Sequence, residues 1–177
     1  MILSTEDSLK KIPILFILLI SVFVISCNTK KAASPVIGGE APLFKEKTLD
    51  GNKISLNDYR GKVVIIEFWA TWCPPCKESI PVIEAIQEKY APRGLSIIGI
   101  SLDEGPGVAE KVSAFRDAYK IGYPIIIDSD GKISSRYRVS SIPTFFILDK
   151  NLKIAKVYRG YTPQMGEHIS KDIESLL

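Results

Sequence analysis

Residues 63–77 read Val-Val-Ile-Ile-Glu-Phe-Trp-Ala-Thr-Trp-Cys-Pro-Pro-Cys-Lys, and they are the most informative run of the sequence. The almost uninterrupted apolar run Val63–Ala70 is typical of a strand that is covered on both faces of a sheet. Cys73 and Cys76 follow at once, and Pro75 stands where a helix would have its first turn. The stretch therefore predicts a buried strand that delivers two cysteines to the N-terminus of a helix.

The spacing of the two cysteines favours reversible sulfur chemistry. A thiol at a helix N-terminus lies at the positive end of the helix dipole, beside unpaired backbone N–H groups, and both favour the reactive thiolate. Two intervening residues allow the sulfurs to form a disulfide within one helical turn. We therefore interpret Cys73 as the nucleophile, partly exposed beside Trp72, and Cys76 as the resolving thiol, one turn further inward.

Composition excludes several classes of protein. Of the 177 residues, 46% are hydrophobic and 24% are charged, as in one globular domain with a short appendage. The net charge is +3 and the basic residues form no stripe interleaved with aromatics, so we expect no nucleic-acid partner. Three cysteines, one histidine and no second Cys-x-x-Cys fit neither a disulfide framework nor tetrahedral zinc. We expect no metal and no cofactor.

The N-terminal segment has the pattern of an export signal. A Lys-Lys pair precedes the apolar run Ile12–Ile25, which is shorter than the roughly 20 residues that span a bilayer. The run closes in Ile-Ser-Cys, which resembles the lipobox of bacterial lipoproteins, where the cysteine is lipidated and becomes the new N-terminus. We predict a signal peptide over residues 1–26 and lipidation at Cys27, with an uncleaved anchor as the alternative. Either arrangement places the domain on the extracytoplasmic side of a membrane.

An α/β order is predicted for the rest of the chain. Residues 27–40 contain small, polar, Gly and Pro residues without periodicity, which indicates a tether before a domain over residues 41–177. That domain should open with a hairpin whose first strand is Ala41–Phe44. The later elements are a helix to about Tyr90, a strand Leu95–Leu102, a helix Val108–Tyr119, a strand Tyr123–Asp128, a short helix Ile133–Tyr137, an antiparallel hairpin of Phe145–Leu148 and Ile154–Tyr158, and a last helix from Thr162.

Residues 63–77 resemble the active-site segment of thioredoxin-fold proteins. The similarity is to the membrane-tethered thiol–disulfide oxidoreductases of the TlpA/ResA type, within the AhpC/TSA–redoxin superfamily, and it extends from about Ala41 to the C-terminus. It implies a thioredoxin-like three-layer α/β sandwich with an N-terminal hairpin. The helix–strand unit Val108–Asp128 would be the central insertion of that group.

The resemblance also implies roles for residues outside the cysteine pair. Glu67, six positions before Cys73, corresponds to a buried carboxylate that exchanges a proton with the resolving cysteine. Burial would raise the pKa of such a carboxyl group toward neutrality, whereas a glutamate at a solvated strand end would have no such role. Pro143 corresponds to the family's cis-proline, and Ile142 would present backbone groups to an extended substrate. The expected substrate surface is completed by Trp72, Pro74 and Pro75.

One position departs from the family pattern. Proteins of the TlpA/ResA type usually have a glutamate three residues after the second cysteine, where this chain has Ser79. Glu78 stands one position earlier, which is about 100 degrees away around a helix. A role in substrate choice for the usual glutamate therefore cannot be transferred to this chain by position.

The implied function is that of a membrane-anchored, extracytoplasmic thiol–disulfide oxidoreductase. It would act as a monomer on disulfides of exported proteins such as apocytochrome c, and a transmembrane electron-donating protein would recycle it. The residues do not fix whether it reduces, oxidises or isomerises its partners, because these directions differ by a few kcal/mol between dithiol and disulfide.

Two alternatives stay open. A peroxiredoxin-type thiol peroxidase would need a threonine at position 70, where this chain has Ala70. An extracytoplasmic copper carrier would use Cys-x-x-x-Cys and a distal histidine. Here two residues separate the cysteines, and His168 falls in the last predicted helix.

Overall fold

The computed structural model describes residues 35–177. The predicted signal peptide, the lipidation at Cys27 and most of the predicted tether lie outside the described residues. Within residues 35–177, no helix is both long and apolar enough to cross a membrane.

Strand β3, Val63–Trp69, is the middle strand of a five-stranded sheet, and all its residues are buried. On one side it pairs in parallel with β4, Leu95–Ser101, which pairs in parallel with β5, Ile125–Ile127. On the other side it pairs antiparallel with β6, Thr144–Leu148, which pairs antiparallel with β7, Ile154–Arg159. The strand order β5-β4-β3-β6-β7 confirms the predicted sheet of parallel strands with a C-terminal hairpin.

Four α-helices in the described chain cover the two faces of this sheet. They are α1, Pro74–Tyr90, α2, Val108–Tyr119, α3, Lys132–Arg136, and α4, Met165–Leu176. The buried residues of α1, α2 and α4 belong to one apolar core, and the buried residue of α3 belongs to the core on the opposite face. The helix–sheet–helix layers confirm the predicted sandwich, with α2 and β5 as its inserted unit.

The side chains of β3 alternate between the two cores. The apolar odd-numbered residues of β3 belong to the core that α1 covers, and the even-numbered ones belong to the opposite core. Because side chains alternate along a strand, Glu67 shares a face with the residues that α1 covers. Its register neighbours are Gly99 in β4 and Phe145 in β6.

The N-terminal hairpin is present, but its first strand begins later than the sequence predicted. β1, Lys45–Lys47, pairs antiparallel with β2, Lys53–Ser55. The segment Ala41–Phe44, where the first strand was expected, instead buries the side chains of its two end residues in the core opposite α1. Because these two side chains are buried in the core, the segment does not form a strand of the hairpin. Two 3₁₀ turns complete the described elements, at Leu56–Tyr59 and Ala91–Arg93.

Candidate active site

A disulfide joins Cys73 to Cys76 at the N-terminus of α1. The two sulfurs are 2.09 Å apart and the two Cα atoms are 5.3 Å apart. Cys73 is the N-cap residue of the helix, with extended backbone, and Cys76 lies in its first turn. The predicted passage from a buried strand through a cysteine pair into a helix is confirmed.

The backbone of α1 directs a hydrogen-bond donor at the sulfur of Cys73. Pro74 and Pro75 occupy the first two helical positions and have no N–H group. The N–H of Cys76 is therefore the first amide donor of the helix, and it donates to Cys73 Sγ at 3.3 Å. An N–H and the positive end of the helix dipole both favour negative charge on that sulfur once the disulfide is reduced.

The exposure of the site differs from the prediction at one residue. Trp72 is 60% exposed, as expected, and Pro74 and Pro75 are also exposed. Cys76 is fully buried, but Cys73 is only 3% exposed rather than partly exposed. The bond to Cys76 turns the sulfur of Cys73 toward the first helical turn, so the exposed apolar surface beside the disulfide belongs to its neighbours.

The loop that leads into Cys73 is held by Asp103. The backbone N–H of Thr71 donates to Asp103 Oδ2 at 2.8 Å, and the Thr71 hydroxyl donates to Oδ1 at 2.6 Å. The Ser101 hydroxyl donates to Oδ2 at 3.0 Å, and Lys111 Nζ donates to Oδ1 at 2.7 Å. Four donors around one fully buried carboxylate thus fix the chain two residues before the cysteine.

The same cluster ties the inserted helix to the site. Burial raises the pKa of Asp103, but hydrogen bonds from Lys111 and Thr71 outweigh burial and hold the pKa below its ordinary value. Asp103 is therefore ionised at neutral pH. Lys111 lies in α2, so a charge-assisted hydrogen bond connects the insertion with the active-site loop.

Glu67 is fully buried on the α1 face of β3. This excludes the alternative of a solvated glutamate at a strand end. The pKa of its carboxyl group is raised from 4.5 to about 7. Burial is the main cause, hydrogen bonds from Tyr123 and Ser79 oppose it, and the charge of Glu84 adds to it. A carboxyl group with this pKa can hold or release a proton near neutrality.

Tyr123 and Ser79 each donate to one oxygen of this carboxylate. Tyr123 Oη lies 2.7 Å from Glu67 Oε2, and Ser79 Oγ lies 3.3 Å from Oε1. Ser79 Oγ also lies 2.9 Å from the carbonyl oxygen of Cys76, so one hydroxyl group connects the carboxylate with the first turn of α1.

Nothing in the sequence pattern singles out Tyr123, which begins an apolar run, and Ser79 stands out only as a departure from the family. The usable signal is Gly99, because a glycine inside a strand often marks the close approach of another group. The three residues that donate to Asp103, which are Thr71, Ser101 and Lys111, give no comparable signal in the sequence, since polar residues at strand ends and on helix surfaces are ordinary.

The Ile142–Pro143 peptide bond is cis, as the resemblance implied. The register of β3 with β6 pairs Phe68 with Thr144. Pro143 therefore lies at the end of the sheet where β3 passes into the cysteine loop. Its carbonyl oxygen accepts a hydrogen bond from the N–H of Gly160 at 2.7 Å. Pro143 is buried and Ile142 is half-buried, and their contact with a substrate stays a prediction.

In the part of the chain that the structure describes, no three His, Cys, Asp or Glu side chains are grouped so that they could hold a metal ion. His168 lies in α4, as the sequence predicted.

Residues 37–157 match the AhpC/TSA family. The chain belongs to the AhpC/TSA family. Among curated members, the Thioredoxin-like protein YneN of Bacillus subtilis is 39% identical over 132 residues, which cover 75% of this chain and 76% of that protein. The Thiol-disulfide oxidoreductase ResA of Bacillus thuringiensis is 37% identical over 137 residues, which cover 76% of this chain and 78% of that protein.

Solved structures agree with this membership of the AhpC/TSA family. A thiol:disulfide interchange protein DsbE from Chlorobium tepidum superposes with a TM-score of 0.74 and is 29% identical, with 80% of this chain and 97% of that chain covered. A protein disulfide isomerase from Bacteroides thetaiotaomicron gives a TM-score of 0.73 and 32% identity, with 80% and 90% covered. The redox-active cysteine pair on this fold, together with the ResA relatives, makes this family member a thiol–disulfide oxidoreductase.

Proposed function

We propose that the protein reduces disulfides of exported proteins through a Cys73/Cys76 dithiol–disulfide cycle. The observation that carries the proposal is the cysteine pair at the N-terminus of α1, whose outer sulfur accepts a hydrogen bond from the Cys76 N–H, with a buried carboxyl group of raised pKa on the adjoining strand. Exposed apolar side chains beside the pair offer a surface for an extended polypeptide.

The first half of the cycle forms a mixed disulfide. The Cys73 thiolate attacks one sulfur of a substrate disulfide, the substrate S–S bond breaks, and the departing substrate thiolate takes a proton. Cys73 is then joined to the substrate sulfur that it attacked, and the sulfur that departed is a free thiol. The helix N-terminus and the Cys76 N–H favour the attacking thiolate over the thiol.

The second half releases the substrate. The Cys76 thiol gives its proton to the Glu67 carboxylate and attacks Cys73 Sγ, which breaks the mixed disulfide. The substrate leaves as a dithiol after its second thiolate takes a proton. Two electrons have passed from the protein to the substrate, and the Cys73–Cys76 disulfide has formed. A pKa near 7 suits Glu67 to this exchange.

Substrate binding is assigned to the surface around the disulfide. Trp72, Pro74 and Pro75 are exposed and contribute apolar contact area. Ile142 and Pro143 stand at the same end of the sheet as the cysteine loop, where backbone groups can pair with an extended substrate segment. The two halves of the surface come from distant parts of the chain.

The N-terminal sequence supports a proposal for the cellular setting. A signal peptide over residues 1–26 and a lipid on Cys27 would tether the domain to the extracytoplasmic face of a membrane. Substrates would then be exported proteins with cysteine pairs, apocytochrome c among them, and a transmembrane electron-donating protein would reduce Cys73–Cys76 again. The protein would act as a monomer. Incorporation of a radiolabelled fatty acid tests the anchor: Cys27→Ala should abolish the label, and equal labelling would exclude Cys27 as the lipid site.

The direct test is a covalent trap. With Cys76→Ala, the mixed disulfide on Cys73 has no resolving thiol, so we expect substrate proteins to accumulate as adducts that a reductant releases. Cys73→Ala is the matched control and should trap none. The reduction potential of the wild-type pair, measured against a glutathione buffer, should be low enough for net reduction. Rapid consumption of hydrogen peroxide without trapped protein would favour the peroxidase alternative instead.

A further inference from the structure

We propose that Tyr123 is a positioning residue of the oxidoreductase, whose hydroxyl acts with that of Ser79 to fix the Glu67 carboxyl group and control when it ionises. The inference deepens the proposed function, because it rests on Glu67 as the proton acceptor for Cys76. The inserted segment between α2 and β5 carries Tyr123 and so contributes a residue to the active site.

The geometry gives each carboxylate oxygen its own donor. Tyr123 Oη donates to Oε2 at 2.7 Å and Ser79 Oγ reaches Oε1 at 3.3 Å. Glu67 and Ser79 are fully buried, and Tyr123 is 3% exposed. Across residues 35–177, no lysine, arginine or histidine forms an ion pair with Glu67. Two neutral hydroxyl groups therefore stabilise its charged form.

A gap in β4 brings the Tyr123 ring to this carboxylate. Gly99 is the register neighbour of Glu67. A Cβ atom at Gly99 would lie 3.0 Å from Cε2 of the Tyr123 ring and 2.9 Å from Nε1 of Trp69. Real Cβ atoms essentially never lie as close as the contact with the indole, and the contact with the Tyr123 ring is tighter than most, so any larger residue would require the indole to move and the ring to shift slightly. The Tyr123 ring thus occupies space beside Glu67 that a side chain at position 99 would need.

The charges around the carboxylate are few. Burial and the charge of Glu67 raise the pKa of the Tyr123 phenol well above its ordinary value, so Tyr123 stays protonated and remains a donor. Glu84 in α1 adds a negative charge that opposes ionisation of Glu67. The register neighbours from β4 and β6, Gly99 and Phe145, are uncharged.

Ser79 has one proton and two acceptors. When Glu67 is ionised, the Ser79 hydroxyl can donate to its Oε1 atom. When Glu67 is protonated, the carboxyl can donate to Ser79 Oγ, and the serine proton then turns to the carbonyl oxygen of Cys76, 2.9 Å away. Protonation of the carboxyl group would thus be transmitted to the first turn of α1, at the resolving cysteine.

The test measures the titration of Glu67 in the oxidised protein, where the disulfide-bonded cysteines do not titrate. The readout is the ¹³C chemical shift of the Glu67 carboxyl carbon as a function of pH. Tyr123→Phe keeps the ring and removes one donor to the charged form, so the midpoint should rise by about one pH unit above that of the wild type. Ser79→Ala should raise the midpoint by less, because the Ser79 hydroxyl lies 3.3 Å from Glu67 Oε1 and is shared with the carbonyl oxygen of Cys76.

Tyr137→Phe is the matched control. Tyr137 is also buried, but in the core opposite α1, and its hydroxyl has no hydrogen-bond partner among residues 35–177. The midpoint of the Glu67 titration in Tyr137→Phe should equal that in the wild type. A Tyr123→Phe midpoint that matches that of the wild type would overturn the proposal. Should Tyr123→Phe not fold, the Ser79→Ala midpoint decides.

A kinetic measurement separates this inference from the proposed function. In the reduced protein, the rate of resolution of a mixed disulfide with a model peptide is followed against pH. Tyr123→Phe should move the ascending limb to higher pH, by the same interval as in the carboxyl titration. A profile unchanged in Glu67→Gln would end the proton-acceptor role of Glu67. Even so, a shifted carboxyl titration would still establish that Tyr123 sets the ionisation of Glu67.

Discussion

Asp103 holds Thr71 by two hydrogen bonds at once, one from the backbone N–H at 2.8 Å and one from the hydroxyl at 2.6 Å. Thr71 stands two residues before Cys73, so the position of the nucleophile depends on a carboxylate in the loop that follows β4. The exposed Trp72 lies between Thr71 and Cys73, so its side chain extends from a loop that these hydrogen bonds hold in place.

Asp103→Asn should therefore destabilise the protein and loosen this loop. The amide replaces one acceptor oxygen by a donor group and leaves Lys111 and Thr71 without a charged partner. Buried hydrogen bonds to a charged group contribute about 1.5–3 kcal/mol each, and we expect a loss of about 3 kcal/mol at pH 7. Urea denaturation measures the stability, and hydrogen exchange at the Thr71 amide measures the loop. Asp130→Asn, which removes an exposed ion pair with Lys132, should change neither.

The effect of Asp103 should vanish in acid. Its pKa in the folded protein is lowered, so its contribution to stability is present above the pKa of the unfolded chain and is lost as pH falls through the folded value. The difference in stability between the wild type and Asp103→Asn should thus shrink below about pH 4. A difference of constant size from pH 7 to pH 3 would mean that the ionised carboxylate is not its source.

Glu67→Gln should stabilise the oxidised protein above neutral pH. The pKa of Glu67 is raised from 4.5 to about 7, so the folded state binds a proton that the unfolded chain has released, and wild-type stability falls as pH rises through this interval. The full difference corresponds to about 3 kcal/mol. Denaturation at pH 5 and pH 8 should show a gain in Glu67→Gln that is larger at pH 8. An equal gain at both values contradicts the raised pKa.

Substitution of the two tryptophans in residues 63–77 should affect stability at Trp69 but not at Trp72. Trp69 is fully buried and its ring centroid lies 5.1 Å from that of Phe115, so Trp69→Ala should cost about 3–5 kcal/mol of stability. Trp72 is 60% exposed, so Trp72→Ala should leave Tm unchanged.

Trp72→Ala should instead lower kcat/KM for a protein disulfide. A loss of apolar contact of about 1.4 kcal/mol corresponds to about tenfold, and a small aromatic disulfide reagent should be reduced at nearly the wild-type rate. Equal losses for both substrates would show that Trp72 acts on the cysteines and not on the bound polypeptide.

A glutamate at position 79, which the TlpA/ResA resemblance would lead one to expect, should harm this protein. Ser79 is fully buried, with its Oγ 3.3 Å from Glu67 Oε1, so Ser79→Glu would force a larger side chain and a second carboxyl group against Glu67. Overpacking and like charge together should reduce stability by about 3 kcal/mol or more at pH 8. Glu78→Gln, at the exposed neighbouring position, should leave thermal unfolding unchanged. A Ser79→Glu protein as stable as the wild type would show that the core accommodates a larger, charged side chain at position 79.

The sequence was sufficient for the elements whose pattern is local. An almost uninterrupted apolar run located β3, and the cysteines with Pro75 between them located the start of α1, because each of these signals lies in neighbouring positions of the sequence. Burial of Glu67 could also be expected, since it interrupts a run of residues that are covered on both faces.

The partners of Glu67 could not be found in this way. Tyr123 lies 56 residues from Glu67 along the chain, and its hydroxyl becomes informative only when the register of β3 with β4 is known. The hairpin error at Ala41–Phe44 has a similar origin, because an apolar segment beside a turn can either pair as a strand or bury its side chains in a core. Cys73 was expected to be more exposed because the sequence does not specify the direction of a sulfur after oxidation.

Gly99 has a consequence for the history of the family. A Cβ atom at this position would lie 3.0 Å from the Tyr123 ring and 2.9 Å from the Trp69 indole, so a side chain at 99 competes for space with both of these rings. The two positions should therefore change together among relatives: lineages with a tyrosine at 123 should keep glycine at 99, and lineages with a larger residue at 99 should carry a smaller one at 123. Where that exchange has occurred, the buried glutamate has lost its phenolic donor, and such relatives should run their thiol chemistry at a different pH.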